Sequence, residues 1–320
     1  MKKVAFLALA LLVFSSHDMF LKQSSHFLSP NTAATIELFN GTFAKSDNII
    51  TRDRMIDASL VGNGKRTKVD TSQWMDQSKT TVLNFTTGEA GTWVAGVSTR
   101  ARNIEMDAEA FNGYLEHDGV LDMLIWREEN DALEDDAVEK YSKHVKTVFQ
   151  VGDTKTDDWK TELGYPIEFI PLSNPYELKI GAELPVKLLF QGEPLVNQLV
   201  YVGSDAVHNH SHDHDHADGE DHDHSHGTTQ LRTDTNGQLS MKITEAGEWY
   251  LRTIHLVLSE EEGLTHESNW ATLTFEVQEE SEEVMEEQQA ENQSSGFPSL
   301  VYWIGGVVAL LVLFLIVRKR

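Results

Sequence analysis

The stretch TDTNGQLSMKITEAGEWYL (233–251) is the segment of this chain with the clearest structural pattern. After the turn signal Asn236-Gly237, apolar and polar residues alternate from Gln238 to Thr244, and a period of two residues is typical of a half-buried strand. A second run of strand-like sequence starts at Gly247. We therefore predict a hairpin followed by a return strand, an arrangement found in antiparallel β-sandwiches.

Short segments rich in β-branched and aromatic residues lie on both sides of this stretch. Turn signals such as QGEP (191–194) separate them. Seven short strands within about 110 residues predict a sandwich of immunoglobulin-like or transthyretin-like type over residues 151–278. The seven segments are YPIEFIPL (165–172), LPVKLLF (184–190), NQLVYVGS (197–204), TQLRTD (229–234), QLSMKIT (238–244), EWYLRTIHLVL (248–258) and ATLTFEV (271–277).

Residues 17–150 are predicted to form a first β-sandwich domain, so that the protein is mainly β. The phrase EAG-x-W begins a predicted strand in both domains, at 89–93 and 245–249. It is compatible with a duplication, although it is also a common way to enter a sandwich strand. The strands of the first domain are predicted within DMFLKQSSHFL (18–28), AATIELFNGTF (33–43), TKVDTS (67–72), TTVLNFTT (80–87) and GTWVAGVST (91–99).

The spacing of apolar residues changes after residue 106. Apolar residues now recur at intervals of three and four, which is the spacing of one helix face. We therefore predict a helical insert after the strands of the first domain, consisting of a helical pair joined by an acidic loop. The groups that carry this pattern are Phe111, Tyr114 and Leu115, then Leu121, Leu124 and Ile125, and later Val138, Tyr141 and Val145.

Both ends of the chain carry apolar segments with targeting signatures. MKK, an apolar run and Ser15-Ser16 predict a secretory signal peptide over residues 1–16. Residues 297–317 carry no charge and would extend ~31 Å as a helix, enough to cross a bilayer. The basic residues 318–320 predict a cytoplasmic tail, and the acid-rich residues 279–296 predict a stalk. We expect a single-pass protein of the cell membrane with extracytoplasmic N-terminal domains, periplasmic in a Gram-negative cell.

The composition excludes several classes of partner. The formal net charge is −25, so nucleic acid and anionic lipid surfaces would be repelled. The chain contains no cysteine, which excludes disulfides and thiolate metal sites. An anionic extracytoplasmic protein is instead suited to cations or to basic partners.

The densest group of potential metal ligands is VHNHSHDHDHADGEDHDHSHG (207–227). Imidazole suits borderline divalent ions, so we predict that this segment binds Ni²⁺, Co²⁺, Zn²⁺ or Cu²⁺, without identifying which one. Predicted strands flank it, which indicates a long loop; the alternative is a neutral repeat expansion in a tolerant loop. Acid would protonate the imidazoles and release the metal. The predicted ligands are His208, His210, His212, His214, His216, His222, His224 and His226.

A discrete metal site would need a histidine held by the fold, and His17 is one candidate. If the signal peptide is removed after Ser16, the α-amine and imidazole of His17 can chelate a metal in a six-membered ring. Cleavage one residue earlier would instead offer an amine, an amide nitrogen and the imidazole of the second residue. His26, His144 and His255 are further candidates, although a lone histidine on a strand or helix is more often a hydrogen-bonded structural residue.

Signatures of enzymes are absent from the sequence. It contains no HExxH, GxSxG, phosphate-binding loop or dinucleotide fingerprint, and no pair of carboxylates stands out for acid–base catalysis. The acidic run EENDALEDDAVE (128–139) lacks the glycine and ligand register of a calcium loop. We therefore expect a protein that is not an enzyme.

Five phrases together resemble a bacterial family of domains of unknown function that carries the name NikM-like. The resemblance covers most of residues 17–278, and it implies a secreted or membrane-anchored β-sandwich protein linked to nickel and cobalt uptake complexes. Members begin with a histidine close to the cleaved N-terminus, frequently after alanine, which implies a ligand role for His17; here Ser16 replaces the alanine. Some relatives carry histidine-rich inserts like this one. The phrases are SHDMFLK (16–22), IELFNGTF (36–43), FNGYLEHDG (111–119), YSKHVKTVFQVG (141–152) and YPIEFIPLSNPYELKIG (165–181).

Two functions are compatible with these observations. The first is a membrane-anchored, extracytoplasmic protein that binds divalent metal and assists uptake or buffering of nickel, cobalt or another transition metal. Its expected partners are the subunits of a metal transporter in the same membrane. The alternative is a structural or ligand-recognition surface protein with tandem β-sandwiches, in which the histidine-rich segment is incidental.

Overall fold

The computed structural model describes residues 17–205 and 228–279, and 51% of them lie in strands. The sheets have a sandwich-like arrangement, which confirms the prediction of a mainly β protein. No helix among these residues is both long and apolar enough to cross a bilayer. The predicted signal peptide, histidine-rich loop and transmembrane segment lie outside the described residues, as does all but the first residue of the predicted stalk.

Strands precede and follow a pair of α-helices in the described chain. The first nine strands are β1 (Asp18–Lys22), β2 (Phe27–Leu28), β3 (Ala33–Gly41), β4 (Met55–Gly62), β5 (Lys65–Lys68), β6 (Trp74–Gln77), β7 (Thr80–Thr86), β8 (Gly91–Thr99) and β9 (Arg102–Met106). The two α-helices are α1 (Ala108–His117) and α2 (Leu121–Glu129). The remaining strands are β10 (Ala137–Val151), β11 (Ile167–Pro171), β12 (Glu183–Phe190), β13 (Glu193–Pro194), β14 (Leu199–Ser204), β15 (Thr229–Arg232), β16 (Gln238–Lys242), β17 (Gly247–Leu258) and β18 (His266–Val277).

The largest sheet has ten strands and contains strands from both predicted domains. Its order is β15-β14-β17-β18-β10-β8-β4-β5, and β2 and β9 also pair with β10. β10 pairs in parallel with β18 and antiparallel with β8 and β9. The predicted boundary between residues 150 and 151 falls at the end of β10, and the sheet continues across it. The described residues up to Val277 form one compact unit.

Each face of the ten-stranded sheet packs against one of two four-stranded sheets. The sheet β1-β3-β7-β6 contributes Leu38 and Leu83 to a core that includes Ala95 of β8. The sheet of β11, β12, β13 and β16 contributes Val186 to a second core that includes Val94. Successive side chains of a strand point to opposite faces, so Val94 and Ala95 place the two cores on opposite sides of β8.

The two helices pack on the ten-stranded sheet. Asp107 caps α1 by accepting a hydrogen bond from the Ala110 amide at 2.8 Å, which satisfies one of the unpaired donors of the first turn. Phe111 and Leu115 are fully buried and share a cluster with Trp270 of β18. The helical interpretation of residues 107–130 is therefore confirmed.

The prediction of a helix through Val138, Tyr141 and Val145 is wrong, because these residues lie on β10. Every residue from Ser142 to Val151 is buried, since β10 has neighbouring strands on both edges and packed layers on both faces. A strand that is buried on both faces shows no alternation of polar and apolar residues. Val138, Tyr141 and Val145 happen to lie three and four residues apart, which is also the spacing of one helix face.

All twelve segments predicted as strands overlap strands of the structure, but the predicted hairpin across Asn236-Gly237 is wrong in its pairing. β15 pairs with β14 in the ten-stranded sheet, whereas β16 pairs with β12 in a four-stranded sheet. The turn therefore carries the chain from one layer to another. Gly237 has a φ of +69°, a conformation that glycine adopts without steric cost.

The repeated phrase EAG-x-W leads into a strand in both places, although Gly247 has a φ of +132° and the φ of Gly91 is not positive. β8 begins at Gly91 and β17 begins at Gly247. The indole N–H groups of Trp93 and Trp249 each donate to the carbonyl of the glutamate four residues earlier, at 3.2 Å in both cases. The two phrases thus share a hydrogen bond from tryptophan to glutamate at the start of two strands of the same sheet.

Candidate functional site

Asp205 and Thr228 are the nearest described residues on either side of the histidine-rich loop. They adjoin two antiparallel strands, β14 and β15, in which Val202 lies opposite Thr229. β15 is the outermost strand at its end of the sheet. The prediction that strands flank the loop is confirmed, and both strands lie at one sheet edge, about 5 Å apart.

Hydrogen bonds fix β14 just before the loop. The Glu248 amide donates to Asp205 Oδ1 at 2.9 Å, and the Ser204 hydroxyl donates to Glu245 Oε1 at 2.5 Å. Glu245 and Glu248 belong to the second EAG-x-W turn. The strand that leads into the loop is therefore fastened to the turn that begins β17.

The structure does not gather the other predicted ligands into a metal site. In residues 17–205 and 228–279, no group of three or more His, Cys, Asp or Glu side chains is arranged to hold a metal ion. The histidines lie in separate surroundings, and their ring nitrogens contact hydroxyl, amide or carboxylate groups.

His26 is completely buried between two carboxylates. Its Nε2 lies 3.1 Å from Thr147 Oγ1 and 3.7 Å from Glu248 Oε1, and its Nδ1 lies 3.6 Å from Glu276 Oε2. Lys22 pairs with Glu248 at 2.9 Å. Burial raises the pKa of Glu248, although electrostatic interactions with His26 and Lys22 oppose this shift. The group is a buried polar network that ties the β1–β2 segment to β17 and β18.

Both ring nitrogens of His144 contact hydroxyl groups. Ser98 Oγ lies 2.9 Å from Nδ1, and Ser142 Oγ lies 3.0 Å from Nε2. Burial lowers the pKa of His144 to about 4, so the ring is neutral at pH 7. A metal would displace one of these hydrogen bonds inside the core, and the geometry therefore favours a structural role.

His255 is a half-buried residue of β17 whose ring lies against Phe190, with ring centres 4.5 Å apart. Its Nδ1 lies 2.9 Å from Gln198 Oε1, and burial lowers its pKa. His117 contacts Asp118 Oδ1 at 3.1 Å, and His266 contacts Thr265 Oγ1 at 2.7 Å. His255 also lines a cavity of about 220 Å³ between α2, β14 and β17.

His17 precedes β1 and lies beside a second cavity. Its Nδ1 is 3.7 Å from Asp47 Oδ2, and the Lys143 ammonium donates to its backbone carbonyl. Burial, followed by the charge of Lys143, lowers the pKa of His17, while Asp47 opposes the shift. The neutral imidazole is the form that binds metals, so these surroundings are compatible with a ligand role.

The second cavity has a volume of about 150 Å³ and is lined from several elements of the ten-stranded sheet. β10 contributes Glu139, Tyr141 and Lys143, which are alternate residues on one face of the strand. Trp270 of β18 and Arg54 also line it. Most of these side chains are nearly buried, so the charged groups lie in a medium of low polarity.

Burial shifts the pKa values of Lys143 and Glu139, two of the side chains that β10 places in this cavity. It lowers the pKa of Lys143 to about 8, although the charges of Asp18 and Asp118 oppose the shift. It raises the pKa of Glu139 to about 7, against a hydrogen bond from Ser268. At pH 7 Lys143 is therefore mostly charged, and Glu139 is about half protonated.

Of the residues around this cavity, His17 alone was among the predicted ligands. Glu139, Tyr141 and Lys143 lie two residues apart, which is the spacing of one strand face. That signal was hidden because the segment was interpreted as a helix, in which these residues would point in different directions.

A sequence profile for DUF4198, described as a domain of unknown function, matches residues 14–257. No curated protein is significantly similar to the chain.

Three solved structures align with most of the chain at low identity. Alpha-2-macroglobulin of Escherichia coli activated by porcine elastase is 9% identical, with a TM-score of 0.22 over 81% of this chain and 20% of that chain. The adhesin InvE of Yersinia pseudotuberculosis is 13% identical, with a TM-score of 0.20 over 81% of this chain and 58% of that chain. A DUF4785 family protein of Legionella pneumophila is 9% identical, with a TM-score of 0.21 over 72% of this chain and 50% of that chain. The chain thus spans a fifth of the length of the macroglobulin.

Proposed function

The chain belongs to DUF4198, a domain family of unknown function, and we propose that this member is an extracytoplasmic protein that binds divalent transition metals. The observation that supports this proposal is the position of residues 207–227 between β14 and β15. These strands are neighbours at a sheet edge, and two residues are enough to join such a pair. The histidine-rich segment is therefore not needed to complete the sheet.

The proposed binding uses the imidazoles of the segment with its carboxylates as secondary ligands. Eight histidines supply many overlapping sets of three or four nitrogens, a ligand type that suits Ni²⁺, Co²⁺, Cu²⁺ and Zn²⁺. Ordering a loop costs ~1–2 kcal/mol for each residue fixed, so a long loop favours several exchanging ligand sets over one rigid site. We expect high capacity, fast exchange and little selectivity.

His17 would supply a second, discrete site when the mature chain begins at that residue. The imidazole Nδ1 that closes the chelate ring with the α-amine is the atom that faces Asp47, at 3.7 Å from Oδ2. Two ligands ~2.1 Å from one metal and at right angles to each other lie about 3 Å apart. A small movement of Asp47 would therefore complete a three-ligand set. Its present partner, Lys45, is 70% exposed and easily displaced.

The proposed location places both sites next to the membrane. Residues 1–16 would direct export, residues 297–317 would anchor the chain, and the acidic residues 279–296 would separate the folded part from the lipid. Two sandwich-like halves of immunoglobulin-like or transthyretin-like type, which share the ten-stranded sheet, would carry the metal-binding segment. In line with the NikM-like resemblance, we propose that the protein raises the local concentration of nickel or cobalt near a transporter.

Equilibrium dialysis at pH 7.5 with Ni²⁺, Co²⁺, Cu²⁺ and Zn²⁺ tests the function. We expect the protein to bind several ions with micromolar affinity. A variant lacking residues 208–226 should lose nearly all of this capacity. A second variant replaces the eight histidines of the segment by asparagine and so keeps the length and the carboxylates of the segment. This variant should lose the same metal-binding capacity, because the histidines are the proposed ligands. If both variants take up as much metal as the native protein, the proposal is wrong.

The site at His17 is tested separately. Mass spectrometry of the mature N-terminus shows whether the chain begins at His17, and a chain beginning at Asp18 or later excludes this site. If His17 is the first residue, Asp47→Asn in the protein without residues 208–226 should weaken the remaining binding by about tenfold. Asp76→Asn, on an exposed strand away from His17, is the matched control and should leave binding unchanged.

Ligand recognition by the folded part is the alternative function, and the cavity of about 150 Å³ favours it. In that case the histidine-rich segment is incidental. A growth defect of a deletion strain that depends on a surface ligand and not on metal supply would support the alternative. A defect that added nickel or cobalt repairs would support metal handling.

A further inference from the structure

Two buried cations line the cavity beside His17 without a carboxylate partner. Arg54 is 8% exposed and Lys143 is 6% exposed. Both lie against Tyr141, with the guanidinium carbon 5.4 Å and the ammonium nitrogen 6.0 Å from the ring centre. Among the residues that the structure describes, neither takes part in an ion pair of 4.0 Å or less. Buried cations without a directly paired carboxylate are costly, so the cavity favours an anion.

The hydrogen-bond donors of these two residues are only partly used. Arg54 Nε is buried and has no hydrogen-bond partner within the described chain, and Arg54 Nη2 donates to the Arg100 carbonyl at a long 3.4 Å. The carbonyl of His17 takes one of the three ammonium protons of Lys143. An anion in the cavity would therefore meet donors that need acceptors.

The acidic side chains whose charges act on Lys143 are Asp18, Asp118 and Glu139, and each contacts another group. Asp118 Oδ1 lies 3.1 Å from His117 Nδ1. Asp18 lies 3.4 Å from Arg252 Nε. Glu139 accepts hydrogen bonds from the Tyr114 hydroxyl at 3.3 Å and from the Ser268 hydroxyl. None of these three carboxylates lies within 4.0 Å of the Arg54 guanidinium or the Lys143 ammonium, so both cations can still pair with a ligand.

Apart from the polar residues His17, Asn40 and Glu139, the rest of the wall is apolar and aromatic. Ile104 and Met106 of β9 line the cavity, and the rings of Tyr114 and Trp270 are stacked with centres 6.1 Å apart. The Lys143 ammonium is 4.4 Å from the centre of the Trp270 ring, so a ligand bound to it lies beside the indole. A cavity of 150 Å³ is known to hold benzene, which gives this one room for about six non-hydrogen atoms.

We propose that this cavity binds a small monocarboxylate, whose carboxylate accepts hydrogen bonds from Arg54 and Lys143 and whose short apolar chain packs against Trp270. Hydrogen bonds between ionised partners are stronger than those between neutral groups, and the low polarity of the cavity strengthens them further. The site should therefore prefer a carboxylate to a neutral ligand of the same shape. Inorganic phosphate suits the site less well, because it has no apolar part and its second charge is repelled by the nearby acids. The proposal does not depend on metal binding.

Saturation-transfer NMR on the full mature chain in non-ionic detergent, at pH 7, tests the class of ligand. Propionate, with five non-hydrogen atoms, should bind. Acetate should bind about fourfold more weakly, because it lacks one methylene group. Propionamide has the same shape without the charge and should bind at least about tenfold more weakly than propionate. Inorganic phosphate should displace propionate poorly.

Two variants test the location. Arg54→Met and Lys143→Met keep the apolar stem of each side chain and remove its charge, and each should weaken propionate binding by about tenfold or more. Lys22→Met is the matched control, since Lys22 also lies over an aromatic ring, 3.7 Å from the centre of Phe43, but does not line the cavity. It should leave propionate binding unchanged within about twofold.

Three results would overturn the proposal: no saturation transfer to propionate, equal binding of propionate and propionamide, or an equal loss of binding in Lys22→Met and the cavity variants. Thermal unfolding shows whether each variant is folded. If Arg54→Met or Lys143→Met does not fold, the comparison of propionate with propionamide on the native chain still decides between the outcomes. If the native protein binds propionate but takes up no metal, the proposed metal-binding function is refuted and the proposal of a carboxylate site stands.

Discussion

Replacing His144 by asparagine should change how the stability of the protein depends on pH. His144 is 2% exposed, and its pKa in the folded protein is about 4, below the ordinary value of 6.5. The unfolded chain therefore binds a proton at higher pH than the folded chain does. As a result, His144 lowers the free energy of unfolding as the pH falls from 6.5 towards 4. Asparagine does not titrate, and its amide can still bond to Ser98.

The size of the effect follows from these two pKa values. At pH 7.5 the ring is neutral in both states and the proton-linked contribution is close to zero. At pH 5.0 the unfolded chain binds a proton at His144 and the folded chain mostly does not, which lowers the free energy of unfolding by about 2 kcal/mol. The native protein should lose this amount between the two pH values, and His144→Asn should not. Glu139 titrates with the opposite sign, but it is present in both proteins and cancels in the comparison.

Urea unfolding at pH 7.5 and 5.0, followed by tryptophan fluorescence and circular dichroism, measures this difference. The free energy of unfolding of the variant relative to the native protein should rise by about 2 kcal/mol at the lower pH. Thr92→Val is the matched control, because the Thr92 hydroxyl is buried, does not titrate and bonds to Gln150 and Asn174, so the relative stability of this variant should change by less than about 0.5 kcal/mol between the two pH values. A pH-independent difference for His144→Asn would refute the reasoning.

Three further predictions concern stability and metal release. Lys146→Met should lower the free energy of unfolding by about 3–5 kcal/mol, because it leaves the buried Glu168 without its ion-pair partner at 3.0 Å. Adding Glu168→Gln should restore part of this loss. Equal stability of the single and double variants in urea would contradict this prediction. Glu139→Gln should act in the opposite sense to His144→Asn. The pKa of Glu139 in the folded protein, about 7, lies above its ordinary value of 4.5. As the pH rises from 4.5 to 8, the free energy of unfolding of the native protein should therefore fall by about 3 kcal/mol relative to that of the variant. Parallel stability curves of the two proteins would exclude this. Nickel-loaded protein dialysed from pH 7.5 to 5.0 should release most of its metal as the imidazoles protonate, and full retention would show that histidine is not the main ligand.

Local sequence patterns predicted most of the strands because those strands are rich in β-branched and aromatic residues, alternate in polarity or lie next to a clear turn. β16 shows the alternation of a half-buried strand, and it was found in the predicted position. β10 was missed because its second half is covered on both faces, and because Lys143, His144 and Lys146 are polar residues inside the core. Local patterns contain no indication that such residues are compatible with a central strand.

Pairing between strands was harder to predict than the strands themselves. The Asn236-Gly237 turn resembles a hairpin turn, yet the strands on its two sides belong to different sheets. Which sheet each strand joins depends on the layer that its apolar face covers. The residues that form these layers are distant from one another in the sequence. The same applies to the cavity beside His17, whose lining side chains come from residues as distant in sequence as Arg54 and Trp270.

The place of β10 in the sheet also constrains how this protein can evolve. The strand hydrogen-bonds to β8 and β9, which precede it, and to β18, which ends the described sheet. A gene fragment ending near residue 150 would encode a long central strand with one edge unpaired, which is prone to aggregation. If the two EAG-x-W turns descend from one ancestral module, the copies have since merged. Recombination can then transfer residues 17–277 only as a whole.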